Sequence, residues 1–374
     1  VTDTAATDPA LVTRIRSRLS IARTGSAPGP QTPAGTRAAV AAALAEEGVT
    51  DPAVLPTLVR DIADQVAGLG PLERLLRTPG VSDVMVNAPN DVWIERDGRL
   101  ERIDLGLASR ADLLDAVRRV IATRGGRLDR AHPFVDTQLA DGSRLHAVIE
   151  PIVPAGPVVT IRRFDRRQLG WADLEHSGAV PGPAAAILRQ LVAERRGLVV
   201  CGRTGVGKTT LLQLLLGQVS HSERVVLIED APELQPATAH LVRLQTRPAS
   251  AEGAGEIDAG TLVRQALRMR PDRIVVGEVR GREIADVLQA LVTGHEGCMT
   301  TVHASSAEEA LVRLEGLALL AGLPLAAARA QIAAAVDAVV ALGRDQEGRR
   351  GVTQIAAIRS DGDRPTATPL WERQ

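Results

Sequence analysis

The stretch Leu198-Val199-Val200-Cys201-Gly202-Arg203-Thr204-Gly205-Val206-Gly207-Lys208-Thr209-Thr210-Leu211-Leu212 decides how the rest of the chain is read. Four apolar residues suit a buried strand, and the leucines after Lys208 suit a buried helix. Between them the spacing G-x-x-x-x-G-K-[ST] describes a loop whose glycines let backbone N–H groups curl inward around phosphate oxygens, at the positive end of a helix dipole. Lys208 would reach the terminal phosphates and Thr209 would ligate Mg²⁺, with Gly202, Thr204, Gly205, Gly207 and Thr210 completing the nucleotide-binding set. Of the 44 basic residues only Lys208 is a lysine. A chain that uses arginine everywhere else has a reason to change here: a compact ammonium fits between two phosphates where a planar guanidinium is too wide.

Reading onward, apolar runs at 225–229 and 274–277 end in acids, Glu229-Asp230 and Glu278. Beside a phosphate loop, such carboxylates orient or deprotonate an attacking water, or hold water on Mg²⁺, for which Asp230 is a candidate. The segment Gly294-His295-Glu296-Gly297-Cys298-Met299-Thr300-Thr301-Val302-His303 sets two histidines about a further strand. It lacks the ligand spacing of a zinc site, which leaves a structural role or contact with a terminal phosphate. Arg144, Arg162, Arg163 and Arg280 are candidates for the positive charge that a transferring phosphoryl group requires. Helical patterns at 259–269 and 282–292, a capping box at Ser306 and Glu309, and a helix opened by Pro324 alternate with these strands. A last strand is expected at 338–342. Such alternation predicts a doubly wound, largely parallel sheet.

Toward the start of the chain, Asp8 and Pro9 open a helix with Leu11, Ile15 and Leu19 on one stripe and Arg14, Arg16, Arg18 and Arg23 around it. It suits either a membrane surface or one side of a helical bundle. Residues 24–36 read as a flexible Pro/Gly-rich linker, and helices follow at 37–47 and 55–76, the second interrupted near 68–71. From residue 81 the period changes to two, with Asp97-Gly98 as a hairpin turn and a helix at 109–123. The expected organisation is a helical extension at 1–66, a small α/β domain at 67–165, a linker at 166–180 and the phosphate-binding domain at 181–374.

Composition narrows the function. Over 374 residues the net charge is −1, there is no Tyr, and only two Phe and three Trp occur. That disfavours a dedicated nucleic-acid binder, which needs basic patches and stacking platforms. Cys201 and Cys298 are too few for a disulfide framework or a four-thiolate zinc site and read as small apolar residues. No apolar run approaches a bilayer span and no signal peptide is evident, so a cytoplasmic protein is expected.

In order along the chain, Gly68-Leu69-Gly70-Pro71-Leu72-Glu73, Val84-Met85-Val86-Asn87, Asp141-Gly142-Ser143-Arg144, Thr160-Ile161-Arg162-Arg163-Phe164, the phosphate loop, Ile228-Glu229-Asp230-Ala231-Pro232-Glu233-Leu234, Val276-Gly277-Glu278-Val279-Arg280-Gly281 and the 294–306 segment form a series. It resembles the secretion ATPases of the type II/type IV superfamily, most closely the CpaF-like ATPases of Tad (Flp) pilus assembly. The resemblance implies an α/β fold in which a RecA-like P-loop NTPase domain follows a smaller α/β domain, assembled as a homo-hexamer with ATP between the domains. It implies ATP and Mg²⁺ as cofactors, Glu278 as the catalytic acid, and Glu229 and His303 in accessory boxes; of the arginines beside the motifs, Arg144 and Arg162 are the catalytic candidates. Inner-membrane platform proteins and peripheral association with the inner face of the cytoplasmic membrane are implied as well. Arg203 and Val206 depart from the small residues usual in that loop. A RecA-like nucleic-acid translocase, a conjugation-type DNA-transfer ATPase and a non-hydrolysing regulatory module are the alternatives.

Overall fold

The computed structural model describes residues 11, 14–15, 18–19, 33–107, 109–163, 169–249, 254–345, 347–361 and 364–373. The chain forms two compact units that divide between residues 165 and 166.

In the first unit, helices Pro33–Glu46 and Leu55–Ala67 pack with Ile15 around Val40, Leu44 and Ile62. Leu11 and Leu19 face the same cluster, and Arg14 and Arg18 pair with Glu47 and Glu46 at 3.1 Å each. The apolar stripe of the first helical pattern is thus spent inside a bundle. Helix Pro33–Glu46 includes residues 33–36 of the expected linker; residues 24–32 lie outside those described. The second predicted helix does break, into Leu55–Ala67 and Leu72–Arg77, with Gly70 at φ +64° between them. An antiparallel sheet follows, of β1 (Val81–Ala88), β2 (Asp91–Arg96), β3 (Arg99–Ile103), β4 (Phe134–Gln138), β5 (Arg144–Val148) and β6 (Val158–Arg162), in the order β3-β2-β1-β6-β5-β4. Asp97 and Gly98, both at positive φ, make the two-residue turn between β2 and β3. Leu113, Val117 and Ile121 of helix Arg110–Ala122 cover one face of this sheet.

The second unit opens with helices Trp171–His176 and Gly182–Ala193, so the expected 166–180 linker carries a short helix. Its sheet contains β7 (Leu198–Gly202), β8 (Val225–Glu229), β9 (Leu241–Gln245), β10 (Arg273–Val276), β11 (Met299–Val302), β12 (Ala338–Arg344), β13 (Arg350–Asp361) and β14 (Arg364–Glu372). The order is β14-β13-β12-β7-β11-β10-β8-β9. From β9 to β12 neighbouring strands are parallel, and every residue of β7, β8, β10 and β11 is buried, as expected when helices cover both faces. β13 and β14 run antiparallel beyond β12. The expectation that the chain's last strand is at 338–342 is therefore corrected: β13 and β14 follow it. No helix among the described residues is long and apolar enough to cross a membrane.

Candidate active site

In an open parallel sheet, ligands bind beyond the carboxyl ends of the strands, where the loops diverge. Four motifs from the sequence meet at that edge. The phosphate loop leaves β7, Glu229-Asp230 closes β8, Glu278 follows β10 and His303 follows β11.

Loop 202–207 has its shape because of its glycines. A Cβ on Gly202 would lie 2.6 Å from Val206 Cγ2 and 2.9 Å from the Leu342 carbonyl oxygen. Gly205 and Gly207 adopt φ of +74° and +104°, which a side chain would strain. Gly207 caps helix Lys208–Leu216, so the loop's amides and the helix N-terminus share one concavity. Thr204 is exposed at its rim, while Thr209 and Thr210 sit half-buried in the first helical turn. Val206, a departure from the small residue usual there, packs into the core beside Leu211 and Leu342.

Lys208 is only 8% exposed. Its Nζ donates to the carbonyl oxygens of Gly202 (2.8 Å) and Arg203 (3.2 Å) and lies 3.5 Å from His303 Nδ1. Burial pushes the pKa of this ammonium down, and Glu278 pulls it up. His303 Nε2 in turn lies 2.7 Å from Glu278 Oε1. Arg280 holds the other oxygen, Oε2, by hydrogen bond and reaches Asp230 Oδ2 at 3.9 Å. Burial, then Lys208, lower the pKa of His303 while Glu278 raises it.

The end of β10 is fixed by its neighbours: Gly277 N–H donates to Ile228 O (2.9 Å), and the Thr301 hydroxyl donates to Gly277 O (2.8 Å). A Cβ on Gly277 would press against Glu229 Cγ at 3.3 Å. Glu229 is itself buried, and its Oε1 accepts the N–H groups of Glu233 (3.0 Å) and Leu234 (2.9 Å). Desolvation raises its pKa to about 7 against those hydrogen bonds and Arg243. This carboxylate anchors the 230–234 turn. Asp230 at the start of that turn takes a hydrogen bond from Thr246 Oγ1 at 3.0 Å.

Several expectations are redistributed. The two histidines do not act together: β11 separates them, and His295, whose Nδ1 lies 3.3 Å from Ala290 O, sits at the strand's amino end, away from the phosphate loop. Cys201 and Cys298 are both buried, with thiols pushed up to about 12 by desolvation, as inert apolar residues should be. Arg144 and Arg162 belong to the first unit, directly opposite each other on β5 and β6, with Arg162 Nε donating to Asp83 Oδ1 at 2.8 Å. Arg163 spends its guanidinium on the carbonyl oxygens of Thr78 and Val81. Arg243, Thr246 and Ser305 were not singled out in the sequence, whereas Thr301 is one of the two hydroxyls of the 294–303 segment. Only a recognised β9 would have placed Arg243 beside Glu229, whereas Ser305, which meets Arg203 Nε at 3.4 Å, lay within reach of the 294–306 motif.

The arrangement can bind a phosphate chain in an amide cradle and present a carboxylate and a neutral imidazole to its terminal group. Comparison with known proteins agrees with that chemistry. A family model described as type II/IV secretion system protein matches residues 65–361. A Mycobacterium tuberculosis protein whose name ties it provisionally to conjugal transfer is 44% identical over 327 residues, covering 86% of this chain and 93% of its own. The type IV secretion system protein PtlH of Bordetella pertussis is 34% identical over 309 residues, covering 74% and 89%. Among solved structures, the Legionella pneumophila ATPase DotB superposes with a TM-score of 0.52 at 22% identity, over 77% of this chain and 79% of its own; at that identity the likeness is one of fold.

Proposed function

The chain belongs to the family of type II/IV secretion system proteins and is an ATPase; from that premise we propose that it is a homo-hexameric motor powering Tad/Flp-type pilus assembly or type II/IV secretion. The proposed motor works at the inner face of the cytoplasmic membrane, against inner-membrane platform proteins. The observation that carries the catalytic part is the convergence of Lys208, His303 and Glu278 at the carboxyl ends of β7, β11 and β10.

In this reading the amides of loop 202–207 and Lys208 bind the β- and γ-phosphates, whose oxygens replace the Gly202 and Arg203 carbonyls around Nζ. Thr209 offers a hydroxyl, a hard oxygen donor that suits Mg²⁺, while Asp230, held by Thr246 and facing Arg280, is assigned to that guanidinium rather than to the ion. The ion, when bound there, neutralises charge on the phosphate oxygens. Glu278 accepts a proton from the attacking water as its oxygen bonds the γ-phosphorus; the bond to the β,γ-bridging oxygen breaks and ADP leaves. Arg144 and Arg162 are our candidates for positive charge on the transferring group. Loss of the γ-phosphate changes which contacts the nucleotide sustains, and that difference is the mechanical output.

A second reading, conjugation-type DNA transfer, is favoured by the name of the mycobacterial relative. Neutral net charge and scarce aromatics weigh against direct DNA handling. The test is Mg²⁺-dependent ATP turnover by the full chain, with and without single-stranded DNA, and light scattering with ATP. DNA-independent turnover by a six-fold assembly supports the pilus or secretion motor. Salt-sensitive DNA binding with DNA-stimulated turnover favours the second reading.

A further inference from the structure

Glu278 Oε1 is buried against His303, whose Nε2 lies 2.7 Å away without a hydrogen bond to it, which leaves Oε2, and that oxygen is held by Arg280. A carboxylate that is to take a proton from water needs one of those lone-pair directions open. Arg280 is the contact able to yield. Its backbone is pinned, since the Glu283 carboxylate accepts the N–H groups of Arg280 and Gly281, but its side chain is 54% exposed. A second acid waits on its other side. Asp230 Oδ2 lies 3.9 Å from the guanidinium, while Asp230 Oδ1 is held by Thr246, so the acceptor is already oriented. Glu233 adds to the attraction from that side.

We propose that Arg280 is a positioning residue with two alternative partners: paired with Glu278 it withholds the carboxylate from the attacking water, and paired with Asp230 it releases it. This rests on the reading of Glu278 as the group that engages water. The two partners lie at the ends of different strands, β10 and β8, so their separation, and with it the balance between them, follows any relative movement of those strand ends. Asp230 then acts on turnover through Arg280.

The test uses the full chain in steady-state ATP turnover and nucleotide titration. Arg280→Ala should raise kcat about threefold or more with nucleotide Kd changed less than about twofold, because the carboxylate is no longer masked. Asp230→Asn, which removes the competing charge, should lower kcat about tenfold, whereas Asp230→Asn with Arg280→Ala should return to the Arg280→Ala rate. Arg280→Lys keeps a cation on Glu278 and should not exceed the wild-type rate, and it replaces Arg280→Ala as the probe should that variant fold poorly. The proposal is overturned by an Arg280→Ala enzyme that binds nucleotide yet loses turnover, or by multiplicative effects in the double variant. Glu278→Gln separates the two readings: if it turns over like wild type, the underlying role of Glu278 fails, and if it is inactive while the double variant is multiplicative, only the switch fails.

Discussion

His303 stands between the ammonium of Lys208 and the carboxylate of Glu278, 3.5 Å from one through Nδ1 and 2.7 Å from the other through Nε2. An ammonium has only hydrogens to offer, so Nδ1 is the accepting nitrogen and the neutral ring carries its proton on Nε2, close to Glu278 Oε1 but without a hydrogen bond to it. The electrostatics agree, because burial and Lys208 both disfavour the imidazolium. Nitrogen-detected NMR should therefore find His303 as the neutral Nε2–H tautomer at pH 7. Its titration should move upward in Lys208→Met, since the nearest of the positive charges that depress it is gone, while burial, Arg280 and Arg313 remain. A doubly protonated ring at pH 7 would break this chain of contacts.

Glu229 makes stability depend on pH in an unusual direction. Its pKa rises from 4.5 to about 7 on folding, so between those values the folded chain binds more protons than the unfolded one. Stability from this group is then present below about 4.5 and is lost as pH rises through 7, on the order of 3 kcal/mol in all. Glu229→Gln keeps an oxygen to accept from Glu233 and Leu234 and carries no charge. Urea unfolding at pH 5 and pH 8 should show that this fall is absent from the variant; an unchanged slope would place the raised pKa elsewhere.

At the opposite, amino end of β10, Arg273 is 1% exposed and forks onto Glu223 at 2.8 and 3.2 Å, with a further bond to Val192 O at 2.9 Å. Removing one partner of a buried pair strands the other charge, which costs about 3–5 kcal/mol. Glu223 keeps Arg195 Nε at 3.3 Å, so Arg273→Met should destabilise by the lower end of that range or less, and Glu223→Leu with Arg273→Met should recover much of the loss. Chemical denaturation of the single and double variants measures both, and additive losses would show that the pair is not coupled.

The contrast between Arg273, Arg163 and Arg280 shows where the sequence stops being informative. In a chain whose cations are almost all arginine, residue type says nothing about whether a guanidinium closes a core, ties down carbonyl oxygens or faces a reaction. The phosphate loop was legible because its glycine positions and its lysine are local requirements of one short turn. Glu278 and Glu229 were legible because an acid ending a fully buried strand stands out against its neighbours. β14 was not, since Pro365 and Pro369 read as breaks and are tolerated only because the strand forms the sheet's edge. The parting of His295 from His303 was legible, since the sequence already sets the two histidines about a strand, and that strand is β11.

Everything in the proposed cycle starts with a triphosphate held by loop 202–207 and Lys208. Isothermal titration of the full chain with ATP and Mg²⁺, for wild type and for Lys208→Ala of matched thermal stability, tests this most directly. The account predicts saturable binding by the wild type and at least a hundredfold weaker binding, about 2.7 kcal/mol, by the variant. Equal affinities in the two proteins would contradict it.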